Sequence, residues 1–277
     1  MTVAADIMRP TPGTAAGVSF LRRRGHGHAP PLVLLHGVGS NARSFEPLMA
    51  VLPPSLTVVA WNAPGYASSM PLATATLTPR DYAVSLARLL DTLDLKRVML
   101  VGHSLGALFA ASLAAHEPAR IANLALISPA LGYRVGPGAA LPPNVQARID
   151  ELDSLGPTDF AKRRAARLVY DAEHKPEVLA AVREAMAAVS QAGYAQAVHA
   201  LGAGDLIGDL GHVAAPTLVA VGAEDVVTPP ANARAAFTAL RKPAGFFEIA
   251  EAGHALPQEN PEAVARLLVQ FIGSDHG

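Results

Sequence analysis

The positions of hydrophobic residues along the chain predict strands that alternate with helices. Short continuous runs of apolar residues, ended by glycine or small polar residues, are typical of buried strands. We predict strands at residues 32–35, 56–60, 98–101, 124–127, 218–221 and 246–250. Because these runs are continuous rather than alternating, we expect strands covered on both faces, as in a parallel sheet.

Helices are predicted between these strands. Thr78 reads as an N-cap, followed by Pro79 at the first helical position and Asp81 in the first turn. The last helix opens at Asn260 with Pro261, and its apolar residues recur at i, i+3, i+4 and i+7. The alternation predicts a doubly wound α/β sheet.

One segment interrupts the alternation and carries no strand pattern. Residues 129–212 contain only helix-like stretches, such as 157–170 and 176–190. We interpret this segment as an all-helical cap inserted into an α/β core. The core then consists of residues 1–128 and 213–277.

Composition and charge narrow the possible classes of protein. The chain has 277 residues, of which 51% are hydrophobic and 16% charged, enough for a large buried core. With 22 basic and 23 acidic residues, the net charge is -1, which argues against a nucleic-acid partner. We interpret the basic cluster at 22–24 as a solvated turn. The lack of cysteine excludes disulfides, thiolate nucleophiles and cysteine-ligated metals.

No membrane or export segment is expected. Residues 1–12 contain Asp6, Arg9 and two prolines where a signal peptide needs an apolar stretch. The longest apolar run, 105–115, falls short of the ~20 residues that span a bilayer. We therefore expect a soluble, cytoplasmic protein without a membrane partner, as a monomer or homodimer.

The sequence Gly102-His103-Ser104-Leu105-Gly106 carries the main chemical signal. It follows a predicted strand and precedes a predicted helix, the setting in which G-x-S-x-G forms a nucleophile elbow with an exposed serine hydroxyl. Glycines two residues before and after Ser104 permit so tight a turn. We predict that Ser104 is a nucleophile rather than a plain N-cap.

A serine nucleophile needs a base, and the base needs an acid, in the chain order Ser, acid, His. Asp225 is the candidate acid, because it lies on the loop that leaves the strand at 218–221. Its neighbour Glu224 is the main rival. Asp205 and Asp209 are weaker candidates, because neither follows a strand.

His254 is the candidate base among ten histidines, because it follows a predicted strand and completes the chain order. His36 and His103 border the proposed site, but their positions give them poor access to the serine hydroxyl. No two histidines have ligand-like spacing with a third donor, so no metal site is predicted. We interpret the remaining histidines as surface or capping residues: His26, His28, His116, His174, His199, His212 and His276.

Two backbone N–H groups are candidates for binding the oxyanion of a tetrahedral intermediate. Val38 lies in the glycine-flanked sequence Gly37-Val38-Gly39 after the strand at 32–35. Leu105 immediately follows the nucleophile and supplies the second donor.

Five landmarks together resemble the α/β-hydrolase superfamily over nearly the whole chain. They lie at 36–39, 62–69, 102–106, 222–225 and 253–254. The resemblance implies an α/β-hydrolase fold: a mostly parallel, eight-stranded sheet with helices on both faces and a helical cap between strands six and seven. It also implies catalysis without a cofactor. Asn62, where relatives often have Asp, is expected to have a structural effect only, and Ala107 replaces a glycine common in relatives.

Within that superfamily, a serine nucleophile disfavours haloalkane dehalogenases and epoxide hydrolases, which use aspartate. Carboxylesterases, lactonases, carbon–carbon bond hydrolases and cofactor-free perhydrolases remain. Carbon–carbon hydrolases commonly carry an aromatic residue after the base, whereas Ala255 and Leu256 follow His254, which favours an esterase or lactonase. A non-enzymatic alternative is a ligand receptor on the same scaffold.

The expected partner is a small-molecule acyl substrate, small to medium and largely apolar. Gly37, His103 and Leu256 are candidate substrate-binding residues. The cap offers apolar side chains for the same pocket, which could equally form its own core: Leu131, Leu155, Phe160, Leu168 and Met186.

Overall fold

The computed structural model describes residues 9–73 and 77–273. Residues 1–8 of the N-terminal segment considered above and His276 lie outside this part. The described chain forms one eight-stranded sheet in the order β1-β2-β4-β3-β5-β6-β7-β8. Its strands are β1 Thr11–Ala15, β2 Val18–Arg23, β3 Leu32–Leu35, β4 Val58–Trp61, β5 Val98–His103, β6 Ile121–Ile127, β7 Thr217–Gly222 and β8 Pro243–Ile249.

Strands β3 to β8 are parallel, whereas β2 pairs antiparallel with both β1 and β4. The predicted eight-stranded, mostly parallel sheet is therefore confirmed. Helices follow the strands along the chain: α1 Glu46–Val51, α2 Pro79–Thr92, α3 Leu105–His116, α4 Pro143–Arg164, α5 Pro176–Ala187, α6 Gln191–Ala203, α7 Leu206–Leu210, α8 Pro230–Thr238, α9 Leu256–Glu259 and α10 Pro261–Gly273. Within the described residues, none of these helices is long and apolar enough to cross a membrane.

Both faces of the parallel strands β3 to β7 are buried, as the continuous apolar runs predict, whereas β8, at the edge of the sheet, is partly exposed. On β3, Leu32 and Leu34 belong to the core cluster that includes residues of α1 and α10. Val33 and Leu35 belong to the cluster on the other face, with residues of α2 and α3. Alternate side chains of a strand point to opposite faces, so each apolar run supplies two cores at once.

The predicted helix starts agree with the observed capping. At α2, the backbone N–H and the hydroxyl of Thr78 both donate to the Asp81 carboxylate, at 2.8 and 2.7 Å. At α10, the Asn260 side chain accepts from the Ala263 N–H at 3.1 Å. These bonds use side chains to satisfy polar groups that the first turn of a helix leaves open.

Residues 129–212 contain helices α4 to α7 and no strand. The predicted stretch 157–170 is the second half of a longer helix, α4, which kinks at Gly156 (φ 70°), plus a 3-10 turn at Ala165–Leu168. Helix α6 has no counterpart among the predicted stretches, because its alanines and glycines give it no distinct apolar stripe. The division into core and cap stays a prediction.

The interpretation of residues 22–24 as a solvated turn is wrong. Arg22 and Arg23 belong to β2, and Arg23 is only 1% exposed. The Arg23 guanidinium donates to the carbonyls of Leu52 at 3.0 Å and Pro53 at 2.8 Å, and also to that of Met49. Backbone carbonyls replace the water that this charge loses on burial.

Candidate active site

Ser104 lies on a sharp turn between β5 and α3. Its backbone angles, φ 53° and ψ −116°, are outside the regions that non-glycine residues normally adopt. A Cβ atom on Gly102 would lie 2.6 Å from the Ala107 Cα, and one on Gly106 would lie 2.1 Å from the Leu35 carbonyl oxygen. Both glycines are therefore required sterically, as the G-x-S-x-G interpretation predicts.

The structure brings Ser104, His254 and Asp225 into one hydrogen-bonded chain. The His254 Nε2 lies 3.0 Å from the Ser104 Oγ, and its Nδ1 lies 2.9 Å from the Asp225 Oδ2. All three residues are at least nine-tenths buried. They are contributed by the loops after β5, β8 and β7, whose C-terminal ends meet at one edge of the parallel sheet.

Asp225 accepts hydrogen bonds from other donors besides His254. Its Oδ1 accepts from the backbone N–H groups of Val227 and Thr228, at 2.8 and 2.9 Å, and its Oδ2 accepts from the Thr228 hydroxyl at 2.9 Å. Burial acts to raise the pKa of Asp225, but the charge and hydrogen bond of His254 and the backbone donors outweigh it and lower the pKa to about 2. The carboxylate is therefore ionised at neutral pH.

The rival acids lie elsewhere. Glu224 is exposed, and it is the neighbouring Asp225 that is turned towards the histidine. Asp205 is the N-cap of α7 and accepts from the Gly208 N–H at 3.0 Å. Because the Asp225 carboxylate accepts a hydrogen bond from the His254 Nδ1–H, the proton of the neutral imidazole is on Nδ1. The Nε2 lone pair then faces the serine hydroxyl. This arrangement can remove the hydroxyl proton as the oxygen attacks an electrophile.

The loop after β3 carries Val38 to the side of Ser104. Val38 and Leu105 both line the cavity above the serine, and no backbone or side-chain acceptor in the described residues takes the Val38 N–H. As the first residue of α3, Leu105 has an N–H without an intrahelical acceptor. The assignment of these two N–H groups as oxyanion donors stays a prediction.

Buried polar side chains hold that loop in place. The Ala63 N–H donates to the His36 Nε2 at 3.0 Å, so the His36 Nδ1 carries the proton and donates to the Gly37 carbonyl at 2.8 Å. The Gly39 N–H donates to the Tyr66 hydroxyl at 3.4 Å. The sequence alone did not show this role for His36, because its partners are distant in the chain.

Asn62, the residue that follows β4, supports the same region. Its side-chain oxygen accepts from the Ala42 N–H at 2.8 Å, and its amide donates to the Ser19 hydroxyl at 2.9 Å. An aspartate could accept the first bond but could not donate the second. The structure thus gives Asn62 hydrogen bonds that join β2, β4 and the 3-10 turn at Ala42–Phe45.

A cavity of about 520 Å³ lies between Ser104 and the helical segment 129–212. Of the five apolar side chains proposed for this pocket, all except Leu155 line it. The lining also contains polar and charged side chains that the sequence analysis did not assign to it: Arg148, Glu151, Arg163, Arg164, Arg167, Tyr194, Thr228 and Asn232. The pocket is therefore more polar than the largely apolar one expected.

A family model described as the alpha/beta hydrolase fold matches residues 30–261 of this sequence. The chain belongs to the α/β-hydrolase fold family. This membership confirms the resemblance drawn from the five sequence landmarks.

Three relatives of this α/β hydrolase illustrate the range of the family. The protein of Variovorax paradoxus (strain S110) that carries the name carbamate hydrolase RutD is 30% identical over 246 residues, covering 87% of this chain and 91% of that protein. The 2-hydroxy-6-oxononadienedioate/2-hydroxy-6-oxononatrienedioate hydrolase of Paraburkholderia xenovorans (strain LB400) is 29% identical, covering 88% and 87%. The crystal structure of the enol-lactonase from Burkholderia xenovorans LB400 has a TM-score of 0.83 and 26% identity, covering 95% and 100%.

Three residues predicted to bind substrate lie outside the cavity lining. Gly37 has no side chain to offer a substrate, and a larger residue is excluded because a Cβ there would lie 2.7 Å from the Ser104 Cβ. The His103 ring lies behind the catalytic candidates, with its Nε2 2.8 Å from the His254 carbonyl oxygen. Leu256 is fully buried in the core cluster beneath the sheet. His103 and Leu256 are close to Ser104 and His254 in the sequence, but this proximity does not place their side chains in the cavity lining.

His36, which is buried, and His103, which is partly buried, are expected to make this α/β hydrolase sensitive to acid. Burial lowers the pKa of His36 to about 4, partly opposed by the hydrogen bond to Gly37. Burial and the charge of His254 lower the pKa of His103 to about 3. Both histidines stay neutral in the folded protein at a pH where the unfolded chain, with a pKa near 6.5, takes up protons. Their contribution to stability is complete above pH 6.5 and falls as the pH is lowered towards 4 and 3.

We expect the two histidines to lower the free energy of unfolding by about 4 kcal/mol between pH 7 and pH 5, about 2 kcal/mol from each. Burial raises the pKa of Asp209 and Glu259, and this partly opposes the loss. Asp225 does not contribute to this change, because its stabilisation is lost only below pH 3.8. Urea unfolding at the two pH values measures the difference. His103→Gln should reduce it by about half, whereas His26→Gln, at an exposed site, should leave it unchanged. An equal pH dependence in wild type and His103→Gln would contradict this explanation.

Thr228 is a site residue that the sequence analysis missed. Its hydroxyl lies 2.9 Å from the Asp225 Oδ2, 2.9 Å from the Ser128 carbonyl oxygen and 3.1 Å from the His254 Nδ1. Thr228→Val keeps the shape and removes these contacts. We expect kcat to fall about 10- to 100-fold, because hydrogen bonds to charged groups contribute about 1.5–3 kcal/mol. Thr238→Val, on the exposed end of α8, is the control; equal rates in the two variants would contradict the assignment.

Proposed function

We propose that the protein is a serine hydrolase that cleaves a carboxylic ester or lactone through an acyl-enzyme intermediate. The observation that supports this most directly is the continuous chain of contacts from Ser104 Oγ through His254 to the buried Asp225 carboxylate. A nucleophile, a base and an orienting acid in this order are the parts that acyl transfer by serine requires.

In the proposed reaction, His254 removes the hydroxyl proton as the Ser104 Oγ attacks the substrate carbonyl carbon. The Asp225 carboxylate orients the imidazole and stabilises its positive charge. His254 then gives the proton to the alkoxide leaving group as the carbon–oxygen bond breaks, which leaves the acyl group on Ser104. Water, deprotonated by His254, attacks this ester and releases the acid, and the proton returns to Ser104.

The tetrahedral intermediate carries a negative oxygen in both halves of the reaction. We assign its stabilisation to the N–H groups of Val38 and Leu105, two residues that line the cavity together with Ser104. Donors fixed before the reaction contribute most to such stabilisation because they need no reorganisation. The bonds of His36 and Tyr66 to the loop around Val38 support this preorganisation.

Similarity to an enol-lactonase structure and to a dienedioate hydrolase is compatible with ester, lactone and carbon–carbon bond cleavage. We favour ester or lactone cleavage because Ala255, rather than an aromatic residue, follows His254. Alternative assignments are a carbon–carbon bond hydrolase or a perhydrolase. A ligand receptor on this scaffold would bind a ligand in the cavity, with a thermal shift, and show little turnover.

The test is covalent labelling with a fluorophosphonate, which reacts with activated serine hydroxyls. We expect stoichiometric labelling of wild type, and peptide mass spectrometry should place the adduct on Ser104. Ser112→Ala, a buried serine on the same helix α3, should be labelled like wild type. As the labelled fraction of the wild-type protein rises, its rate of hydrolysis of a p-nitrophenyl ester series should fall in proportion. An unlabelled wild-type protein without esterase activity would refute the proposal and favour the receptor.

A further inference from the structure

Four arginines line the cavity above Ser104. They are Arg148, Arg163, Arg164 and Arg167, and Glu151 is the only carboxylate of the described residues that lines the same cavity, apart from the catalytic candidates beneath it. The lining therefore has a formal excess of three positive charges, in a chain whose net charge is -1. Such a concentration of one sign in a cavity of about 520 Å³ needs a physical explanation.

The kink in α4 brings these arginines together. Gly156, at φ 70°, turns the helix back, so that Arg164 reaches Glu151 in the first half of α4. Arg148 lies one helical turn before Glu151 and shares its face. Arg167 lies in the 3-10 turn that follows α4. It lines the same cavity and reaches the Val226 carbonyl on the loop after β7.

Ion pairing with a carboxylate accounts for only two of the four arginines, and Arg148 interacts instead with the Tyr194 hydroxyl. Glu151 lies 2.7 Å from the Arg164 Nε and 3.1 Å from the Arg163 Nε. The Arg164 guanidinium also lies 5.1 Å from the centre of the Phe160 ring. In the described part of the chain, no carboxylate forms an ion pair with Arg148 or Arg167. Arg167 donates only to the Val226 carbonyl, at 3.4 Å.

We propose that Arg148 and Arg167 form a carboxylate-binding subsite, and that the substrate is an ester or lactone that also carries a carboxylate remote from the scissile carbonyl. Guanidinium groups match carboxylates in geometry and bind them with two parallel N–H donors. Arg163 and Arg164, paired with Glu151, supply further positive potential at the same wall of the cavity. This inference rests on the proposed function for the identity of the scissile bond.

The experiment compares charged and neutral esters of matched length. Monomethyl adipate places a carboxylate on the acyl side, with methyl hexanoate as its neutral counterpart. 6-Acetoxyhexanoate places it on the alcohol side, with hexyl acetate as its counterpart. We expect kcat/KM, measured by proton release in a pH-stat, to be at least about 10-fold higher for the anionic member of one of the two pairs. The pair that shows the preference identifies the side that carries the carboxylate.

Arg148→Gln and Arg167→Gln should each lower kcat/KM for the preferred anionic ester by about 10- to 100-fold, with less than about a threefold change for the neutral ester. Arg241→Gln, at an exposed site outside the cavity, removes the same charge from the chain and should change neither value. Arg167 is exposed, so its replacement carries the test even if Arg148→Gln fails to fold. The subsite is refuted if neither pair shows a preference, or if the arginine variants slow charged and neutral esters equally.

Direct binding separates this inference from the proposed function. Adipate, the product of monomethyl adipate hydrolysis, can be titrated into Ser104→Ala by calorimetry, where no turnover occurs. We expect binding that is weakened at least about 10-fold by adding Arg148→Gln or Arg167→Gln. Arginine-dependent binding without esterase activity in wild type would retain the subsite and reject the hydrolase. Esterase activity without arginine-dependent preference or binding would retain the hydrolase and reject the subsite.

Discussion

Ser104→Ala should lower kcat for ester hydrolysis by up to roughly six orders of magnitude, to the level left by binding and the oxyanion donors alone. The substitution removes the hydroxyl oxygen that the His254 Nε2 faces at 3.0 Å, so the acyl-enzyme cannot form. Alanine retains the Cβ, and with it the backbone strain that serine already accepts at φ 53°. The variant should therefore fold, and its loss of activity reports chemistry rather than stability.

A steady-state assay with a p-nitrophenyl ester, at enzyme concentrations high enough to detect slow turnover, measures this loss. Thermal unfolding of the same sample checks that the fold is intact. Ser112→Ala, within α3, should retain activity within about twofold, because Ser112 is buried away from the cavity. Residual activity of Ser104→Ala close to wild type would exclude the serine mechanism, whatever the distances in the site.

The fold was predictable where burial on both faces of the sheet produced continuous apolar runs. The strands β3 to β7 were located from sequence because both of their faces pack against a hydrophobic core. The partly exposed β8 was located from its apolar residues Phe246, Phe247 and Ile249, which pack against the two cores. Strands β1 and β2 were missed. β1 is largely exposed at the edge of the sheet, and β2 includes two arginines. The burial of Arg23 depends on four carbonyls from residues 49–56, which no local pattern reveals.

The candidate site was predictable in so far as chain order and strand ends determine it. Ser104, Asp225 and His254 each follow a parallel strand, and the ends of such strands meet at one edge of the sheet. The supporting residues give no such signal. Thr228 is a threonine in a loop. In the sequence, the four arginines resemble solvated charges on a helix, and only the kink at Gly156, which folds the second half of α4 back on the first, shows that they line one cavity.

Asp225→Asn should lower kcat by about four orders of magnitude, with little change in structure. The two backbone donors, Val227 N–H and Thr228 N–H, both point at Oδ1. An asparagine must present its oxygen to those donors, because an amide NH₂ there would face two N–H groups. Its NH₂ then takes the place of Oδ2, 2.9 Å from the His254 Nδ1, and donates to that nitrogen. His254 is forced to carry its proton on Nε2, facing the serine hydroxyl, where it cannot act as a base.

Glu224→Gln is the matched control, because it removes one carboxylate charge from the adjacent position. Glu224 is exposed, and the imidazole bonds to Asp225 instead, so kcat should stay within about twofold of wild type. Comparing the two variants separates the tautomer effect from a general loss of negative charge near the site. Similar losses in both variants would mean that electrostatic potential, not the orientation of the imidazole, is what the loop after β7 supplies. A loss confined to Asp225→Asn requires an acceptor held at a fixed point, and the paired backbone donors on Oδ1 are what fix it.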